Sequence, residues 1–365
     1  MKTALVTGAD GHLGKAIAQR LLAGGDRKLV LFVRADAEGE RKRKVVRLGE
    51  LASDARCQTV FANLGDSSPF GEIDAAEVSE IVHAAAATSF GVDRGTAAVV
   101  NVAGTEKLLE FAGRCPGLER MVYLSSLYAT GLNSGLVEEL PLEREPAFAN
   151  NYEWSKWEAE RSVISRKDLP WQIHRIATLL AENADGVVIQ QNAIHNTLRL
   201  LYYGLLSVIP GVPATRVYMT TTSHACEVIC RLIEVGESRR VYHVSDGGDA
   251  ACTLGQLLDV VYDTFSKDPD FARLRILKPL FCDLASFNTL AEGAAQLGGA
   301  MAQSLNSVAP FAPQLFNDKN VEVEATTAEL NGLRNPDMKV VLDGACRYLA
   351  RTRWGLRPAA MEGRS

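Results

Sequence analysis

The feature that most constrains the fold is the amino-terminal segment Met1–Gly14, MKTALVTGADGHLG. Ala4–Thr7 is a short apolar run, and three glycines follow it at three-residue spacing: Gly8, Gly11 and Gly14. From Leu13 onward apolar residues recur at helical intervals. This order predicts a strand, a glycine turn and a helix. Glycine permits positive φ and close approach of a phosphate, and a helix start favours an anion. The segment therefore predicts a dinucleotide-binding site, with a plain surface turn as the alternative.

The rest of the first half alternates strands and helices, which predicts an α/β fold with a doubly wound parallel sheet. The predicted strands are Ala4–Thr7, Lys28–Arg34, Gln58–Ala62, Glu80–Ala87, Arg120–Ser125 and Trp171–Ala177. The predicted helices in this half include Glu38–Leu51, Ala97–Arg114 and Glu153–Arg166. We therefore expect a cofactor-binding domain over residues 1–181.

From about Glu182 the alternation breaks down, and residues 182–365 are expected to form a smaller, mostly helical substrate domain, with some segments returning to the first domain. Within it, Pro279–Phe316 carries only two charged residues, and Leu290–Leu305 is alanine-rich and helix-like. A stretch this apolar needs a cover. The simplest interpretation is a helix packed on its own domain. A lipid-like substrate, a partner subunit or a membrane surface are alternatives.

Composition narrows the class of protein. With 365 residues and a formal net charge of -5, the chain is long enough for two lobes and lacks the basic balance of a nucleic-acid binder. Its seven cysteines include no CxxC pair, which is typical of reduced thiols in a cytoplasmic protein. Cys226 and Cys230 lie four residues apart near His224; core packing is favoured over a metal site, and no metal is expected.

Two observations bear on membranes and secretion. The first predicted strand begins almost at Met1, so no signal peptide is expected. The longest uncharged run, Leu200–Thr215, contains two prolines and is too short to span a bilayer. The sequence therefore predicts no transmembrane segment.

Arg34, at the end of the second predicted strand, bears on the choice of cofactor. NAD-selecting sheets often carry an acidic residue here, whereas an arginine pairs with the 2′-phosphate of NADP. A basic helix follows, and Arg43 is a second candidate within it. A solvated helix face explains several of these charges. The prediction is NADP(H), with Arg34 as the selecting residue.

Other candidate cofactor contacts lie where later strands end. Asn63 and Leu64 follow the third strand, beside the expected adenine site, although Asn63 also suits a plain turn. After the fourth strand, the small residues Ala84, Ala85 and Ala86 leave room for the cofactor backbone. His83 is interpreted as a packed histidine rather than a base. Asn101 could cap backbone groups or hold a water near the site.

Tyr152 and Lys156 form the candidate catalytic pair, because four-residue spacing places both on one helix face. A phenol titrates near pH 10, so acting as an acid or base near pH 7 requires its pKa to fall by roughly three units, which corresponds to about 4 kcal/mol. An ammonium about 4 Å away supplies roughly that amount at an effective dielectric near 20. The hydroxyl of Ser126 could hydrogen-bond the substrate oxygen, and Ser125 is the second candidate. The alternative is that both serines only form hydrogen bonds with backbone groups at the end of the strand.

The motifs TGADGHLG, HAAA, NVAGT, YLSSLYATG and YEWSK, in this order, resemble the extended short-chain dehydrogenase/reductase superfamily. The resemblance implies a Rossmann-type sheet, with Tyr152 as acid/base, Lys156 lowering the pKa of Tyr152 and Ser126 polarising the substrate oxygen. It also implies a cofactor surface with these members: Gly8, Asp10, Gly11, His12, Leu13, Gly14, Arg34, Arg43, Asn63, Leu64, Ala84, Ala85, Ala86, Asn101, Tyr152, Lys156 and Thr178.

Finer features, LFVRAD, IVHAAAATSF, FANNYEWSKWEAER and GLLSVIPGVP among them, are similar to the branch of fatty acyl-CoA reductases and thioester reductase domains. That branch implies NADPH-dependent reduction of a bulky, hydrophobic acyl thioester or carbonyl compound to an aldehyde or alcohol. Asn63 stands where an aspartate is usual, and Ile176-Ala177 replaces a common proline. A nucleotide-sugar epimerase or dehydratase, a hydroxysteroid or alcohol dehydrogenase, and a non-catalytic NADP-sensing or scaffold protein are the alternatives. A homodimer is a superfamily expectation.

Overall fold

The computed structural model describes residues 1–355, without the side chains of Leu297, Ala300 and Met301. Its centre is a seven-stranded parallel sheet. The strands of this sheet are β1 (Lys2–Thr7), β2 (Arg27–Val33), β3 (Cys57–Phe61), β4 (Glu80–His83), β5 (Arg120–Ser126), β7 (Trp171–Ile176) and β12 (Arg240–Val244). Their spatial order is β12-β7-β5-β4-β1-β2-β3. The order reverses between β1 and β4, and such a switch point opens a ligand crevice at the carboxyl ends of the strands.

Eight short strands form four two-stranded pairs outside this sheet. They are β6 (Gly135–Val137), β8 (Thr178–Ala181), β9 (Val208–Pro210), β10 (Arg216–Val217), β11 (Met219–Thr221), β13 (Cys252–Thr253), β14 (Leu280–Cys282) and β15 (Lys319–Val321). Because β15 pairs with β6, residues near 320 return to the loop that follows β5. Late segments therefore reach the carboxyl end of the sheet.

The helices cover both faces of the sheet and build the second lobe. They are α1 (His12–Ala23), α2 (Glu38–Leu48), α3 (Arg94–Ala97), α4 (Gly104–Ala112), α5 (Asn151–Ser165), α6 (Ala193–Tyr202), α7 (Thr222–Val235), α8 (Leu254–Ser266), α9 (Pro269–Leu274), α10 (Leu284–Leu297), α11 (Gly299–Val308), α12 (Glu324–Glu329) and α13 (Met338–Arg351). The fold is thus the predicted Rossmann-type α/β architecture. Helix α7 and strand β12 lie on the sheet, although they follow residue 181.

Four of the elements predicted above differ from the observed ones in type or by more than two residues. Helix α2 ends at Leu48 rather than Leu51, and a 3-10 turn follows over Gly49–Ala52. Strand β4 ends at His83 rather than Ala87, because the N–H groups of Ala85 and Ala87 donate to side chains instead of a neighbouring strand. The predicted helix Ala97–Arg114 contains a π-helical turn over Ala98–Ala103. The predicted helix Leu290–Leu305 is two helices, because Gly298 and Gly299 adopt φ of +70° and +80°.

The apolar stretch Pro279–Phe316 packs on its own lobe, as the simplest interpretation held. Phe287, Leu305, Val308 and Ala312 are buried in a cluster with residues of α6, α8 and α13. The division of the chain at residue 181 stays a prediction, and residues 356–365 of the predicted second domain lie outside the described residues. Within residues 1–355, no helix combines the length and the apolar character that crossing a membrane requires.

Cys226 and Cys230 lie in the core between α7 and the sheet, in agreement with the packing interpretation. Over the described part of the chain, no group of three or more His, Cys, Asp or Glu side chains is arranged to hold a metal ion.

Candidate active site

The glycine turn between β1 and α1 lies at the switch point of the sheet. Gly8 adopts φ of +65°, and a Cβ there would lie 2.8 Å from the backbone N and Cα of Ala85. A Cβ at Gly14 would lie 2.3 Å from the carbonyl oxygen of Gly8. Helix α1 begins after Gly11 without a side-chain cap. Uncapped N–H groups at a helix start bind phosphate well. The turn thus has the close backbone packing that a dinucleotide cradle requires.

Asp10 in this turn is buried and accepts a hydrogen bond from the Lys44 ammonium, with Nζ 2.6 Å from Oδ2. Lys44, in the basic helix α2, therefore joins this helix to the glycine turn. Arg34 and Arg43 are exposed. Within the described residues, neither guanidinium group forms a hydrogen bond or an ion pair, so both are available to an anionic ligand.

His12 and Leu13, the other predicted contacts in the turn, have partners within the protein. The Nε2 atom of His12 lies 2.8 Å from the hydroxyl of Thr222 and 3.0 Å from a carboxylate oxygen of Glu182. Leu13 packs partly buried against the core cluster around α1 and α7. His12 therefore joins the glycine turn to the amino-terminal end of α7.

Asn63 forms a turn in this structure. Its side-chain oxygen accepts from the N–H of Gly65, and its amide donates to Asp36. Leu64 is buried and lies against Gly104 of α4. These contacts agree with the turn alternative for Asn63, and the adenine contact stays a prediction.

The residues after β4 are held by side chains of neighbouring elements. Asn101, in the π-helical turn, accepts from the N–H of Ala87 and donates to the Ala87 carbonyl and the Ser155 hydroxyl. Ala84, Ala85 and Ala86 are partly exposed beside the glycine turn. Asn101 therefore has the structural role that the sequence analysis gave as one of its two interpretations.

His83 is a packed histidine, as predicted. Its two ring nitrogens contact the hydroxyls of Thr7 and Thr105, at 2.7 and 3.1 Å. Burial lowers the pKa of His83 to about 3, so the ring is neutral at physiological pH.

The two serines at the end of β5 have different partners. Ser125 donates to a carboxylate oxygen of Glu160 at 2.5 Å, and Glu160 forms a buried ion pair with Arg175. Ser126 accepts from the N–H of Tyr128, and its nearby hydroxyl lowers the pKa of the Tyr152 phenol. The structure therefore brings Ser126, and not Ser125, to the candidate catalytic tyrosine.

Tyr152 is buried in the second position of helix α5. Burial raises the pKa of its phenol to about 12, and the hydrogen bond with Ser126 opposes this rise. The resemblance implied a pKa lowered by Lys156; in this structure burial dominates and the pKa is raised. Tyr152 therefore carries its proton at neutral pH, as a general acid must.

Lys156 lies one helical turn further along α5. Its ammonium donates to the carbonyl oxygen of Leu124 at 2.8 Å and lies 4.7 Å from the ring centre of Tyr123. Burial lowers the pKa of Lys156 to about 8. Thr178, the remaining predicted contact, begins β8, with its hydroxyl 3.4 Å from that of Tyr128.

The sequence did not predict a group of packed aromatic side chains beside Tyr152. The ring of Phe90 lies 5.8 Å from that of Tyr152 and 5.2 Å from that of Tyr128, measured between centroids. Phe311, from the apolar stretch of the second lobe, lies 5.8 Å from Phe90. Only the position of Phe90 directly after HAAAATS could have suggested its role, and no signal marks Phe311.

A cavity of about 510 Å³ opens on the other side of Phe90. Its lining residues are Phe90, Gly91, Val92, Arg94, Phe148, Ala149, Asn150, Asn151, Trp154 and Pro310. They come from the loop after β4, the start of α5 and the segment after α11. The cavity therefore adjoins the candidate catalytic tyrosine between the two lobes.

A second missed feature is a buried charged pair next to Tyr152. Lys319 on β15 donates to the side-chain oxygen of Gln314 at 2.9 Å, and burial lowers its pKa to about 8, which the charge of Glu153 opposes. Glu153 is fully buried and accepts from the N–H of Ala149 at 2.9 Å. These two buried charges lie at the start of α5, where Asn150 also donates to the carbonyl oxygen of Pro310 in the second lobe.

A sequence profile of the family described as male sterility protein, an NAD-binding family, matches residues 6–229. The sterol demethylase protein B of Methylococcus capsulatus is 38% identical over 133 residues, 36% of this chain and 36% of that protein. The probable fatty acyl-CoA reductase 5 of Arabidopsis thaliana is 31% identical over 170 residues, 40% of this chain and 34% of that protein. The glycine betaine reductase ATRR of Emericella nidulans is 25% identical over 270 residues, 67% of this chain and 21% of that protein. The chain spans no more than 36% of the length of these three relatives.

Two solved structures illustrate the likeness of the fold. The terminal R domain from the myxalamid PKS-NRPS biosynthetic pathway has a TM-score of 0.79 at 19% identity, over 98% of this chain and 93% of that chain. A UDP-glucuronic acid 4-epimerase from Bacillus cereus in complex with NAD has a TM-score of 0.65 at 15% identity, over 96% of this chain and 99% of that chain. At these identities the likeness shows the architecture alone.

Proposed function

This chain belongs to the male sterility protein family, an NAD-binding family, and we propose that it is a reductase of the extended short-chain dehydrogenase/reductase type. It uses NADPH to reduce a bulky, hydrophobic acyl thioester or carbonyl compound to an aldehyde or alcohol. The observation that carries the proposal is the buried Tyr152 on α5, which lies near Ser126 at the carboxyl end of strand β5 and has Lys156 one helical turn further along. The relatives named fatty acyl-CoA reductases in Arabidopsis thaliana support the substrate class.

The residues present fit a dinucleotide. A Cβ at Gly8 would collide with the backbone of Ala85, and one at Gly14 would collide with the carbonyl oxygen of Gly8, so the turn permits close backbone approach only with glycine. Arg34 follows β2 as an exposed cation that has no ion-pair partner in the part of the chain described, which suits a 2′-phosphate. Gly8, Gly11 and Gly14 would hold the pyrophosphate, and Arg34 would select NADP, with Arg43 as a second cation. The bound cofactor supplies the hydride that reduces the carbonyl carbon.

Ser126 and Tyr152 act on the oxygen of the substrate carbonyl. Both hydroxyls donate hydrogen bonds to this oxygen, and Tyr152 transfers its proton as negative charge develops there. Because the phenol has a pKa of about 12, it returns to the protonated state at neutral pH. Lys156 supports the phenolate with its charge when its ammonium is protonated. For a thioester, collapse of the resulting hemithioacetal releases a thiol and an aldehyde.

The test is NADPH consumption by the purified protein with a long-chain acyl-CoA, with trapping of the aldehyde. We expect turnover with NADPH in preference to NADH, a preference that Arg34→Gln reduces. Tyr152→Phe should lower kcat by about 10²- to 10⁴-fold, the usual contribution of general acid catalysis. Turnover of a simple ketone or hydroxysteroid without any turnover of thioester would overturn the thioester proposal. Tightly bound NAD after purification would favour an epimerase.

A further inference from the structure

Arg94 is the charged residue among those that line the cavity beside Phe90. Its guanidinium carbon lies 3.3 Å from the centre of the Trp154 ring, so the two planar groups are stacked. Stacking uses the face of the guanidinium group and leaves its N–H donors, which lie in the plane, for a ligand. Within the described residues, the guanidinium group of Arg94 forms no hydrogen bond and no ion pair. The neighbouring carboxylate, Asp93, accepts instead from the N–H of Thr96.

The other polar side chains of the cavity are already committed to the protein. Asn150 donates to the carbonyl oxygen of Pro310 and to Glu153, and Asn151 donates to the carbonyl oxygen of Val92. These bonds join the loop after β4, the start of α5 and the second lobe into a fixed wall. The cavity therefore combines rigid, partly aromatic walls with one positioned cation that lacks an anion.

Phe90 connects the cavity with the reaction centre. It lines the cavity and also packs edge-on against Tyr152, with 5.8 Å between ring centroids. Phe90 therefore contacts both the cavity and the ring of the candidate catalytic tyrosine. A volume of about 510 Å³ holds a group much larger than a single ion.

We propose that this cavity is a substrate subsite that binds an anionic group, a phosphate or a carboxylate, through Arg94. The inference rests on the proposed function, because it describes the far end of the same substrate. The two sources of the anion are the phosphorylated thiol carrier of a thioester and a carboxylate on the acyl chain. Phe90, Phe148 and Trp154 contact the connecting chain.

Kinetics with matched thioesters separate these sources. Arg94→Gln is compared with wild type on an acyl pantetheine 4′-phosphate and on the neutral acyl pantetheine. If Arg94 binds the phosphate, Arg94→Gln raises KM for the phosphorylated thioester at least tenfold, because a charge-assisted hydrogen bond is lost. Its kcat for this compound, and both constants for the neutral thioester, stay nearly unchanged. The second pair is an ω-carboxyacyl and a plain acyl thioester of N-acetylcysteamine. An effect confined to the carboxylated compound assigns the anion to the acyl chain.

Binding without turnover gives an independent readout. Trp154 stacks on the guanidinium group of Arg94, so its fluorescence should change saturably when an anion binds there. We expect this change with pantetheine 4′-phosphate or with the ω-carboxyacyl compound, and none with the matched neutral compound. Arg94→Gln should abolish the response, Arg94→Lys should retain part of it, and Trp154→Phe identifies the emitting residue. Arg94 is exposed, and equal melting temperatures of the variants confirm that they fold.

The outcomes distinguish the two proposals. If Arg94→Gln changes KM equally for charged and neutral thioesters, or for none of them, and no anionic probe gives an Arg94-dependent fluorescence change, the subsite is refuted. If wild type consumes no NADPH with any thioester, the proposed function fails, and the fluorescence titrations alone then support or refute the subsite.

Discussion

Ser125 and Ser126 are neighbours on strand β5, yet their side chains point to opposite faces because side chains alternate along a strand. Ser125 faces Glu160, which is paired with Arg175 in the core. Ser126 faces Tyr152. One residue of register thus separates a hydroxyl that stabilises a buried ion pair from a hydroxyl that can contact substrate.

Replacement of each serine by alanine should therefore have different consequences. Ser126→Ala should lower kcat by about 10- to 1000-fold, the range for loss of one donor to a developing oxyanion, and leave the free energy of unfolding nearly unchanged. Ser125→Ala should lower that free energy by about 1–3 kcal/mol, because it removes a hydrogen bond to a buried carboxylate. Steady-state kinetics and urea unfolding of both variants measure this, and a larger loss of kcat in Ser125→Ala would contradict the assignment.

At the scale of elements, helix α13 docks with its backbone directly on the turn after β8. A Cβ at Gly344 would lie 2.5 Å from the carbonyl oxygen of Asp185, and one at Gly186 would lie 2.3 Å from the N atom of Ala345. Neighbouring Leu342 and Ala345 are fully buried in the core of the second lobe. Close approach of the two elements therefore depends on glycine on both sides.

Gly344→Ala should destabilise the protein by about 1–3 kcal/mol, because the added methyl group forces the helix away from the turn. Gly293→Ala on α10 is the matched control, since a Cβ there meets no atom within 4 Å. That control should gain about 0.5–1 kcal/mol from the higher helix propensity of alanine. Urea unfolding measures both, and equal effects of the same sign would show that α13 tolerates a displacement.

At the scale of the whole molecule, the central sheet buries three histidines: His83 on β4, His174 on β7 and His243 on β12. Burial lowers the pKa of each to about 3, and nearby cations add to the effect: Lys156 for His83, Arg120 for His174 and Arg175 for His243. An unfolded chain protonates its histidines near pH 6.5. Their contribution to stability is therefore full above pH 6.5 and is lost as the pH falls towards 3. Burial raises the pKa of Asp246 to about 6, which acts in the opposite direction.

From this linkage, each buried histidine should lower the free energy of unfolding by about 2 kcal/mol between pH 8 and pH 5. His174→Gln should remove about a third of the decrease in the free energy of unfolding that the three buried histidines together cause between pH 8 and pH 5. His174 suits this test because one ring nitrogen contacts only Gln172 and the other has no partner within the described chain. Urea unfolding of wild type and variant at both pH values measures the decrease in the free energy of unfolding for each protein. The difference between the two proteins at pH 8 gives the packing cost of the substitution. An unchanged loss in the variant would refute the buried neutral state.

The fold and the core of the candidate site could be predicted from the sequence because their signals are local. Strand and helix periodicity, the glycine spacing of the turn and the four-residue spacing of Tyr152 and Lys156 each lie within one or two elements. Their chain order was enough to predict a parallel sheet with a cofactor turn after its first strand. The packed state of His83 also followed from its place in a buried strand.

Only the tertiary structure decided which groups meet. Phe90, Trp154 and Pro310 line one cavity although more than 200 residues separate the first from the last, and no local pattern encodes such a contact. The end of β4 depends on Asn101, and the pKa of Tyr152 depends on the burial of α5. Periodicity and turn chemistry act between neighbours in the chain, so they determine elements. Burial, ion pairing and cavity shape arise between elements, so they exist only once the chain is packed.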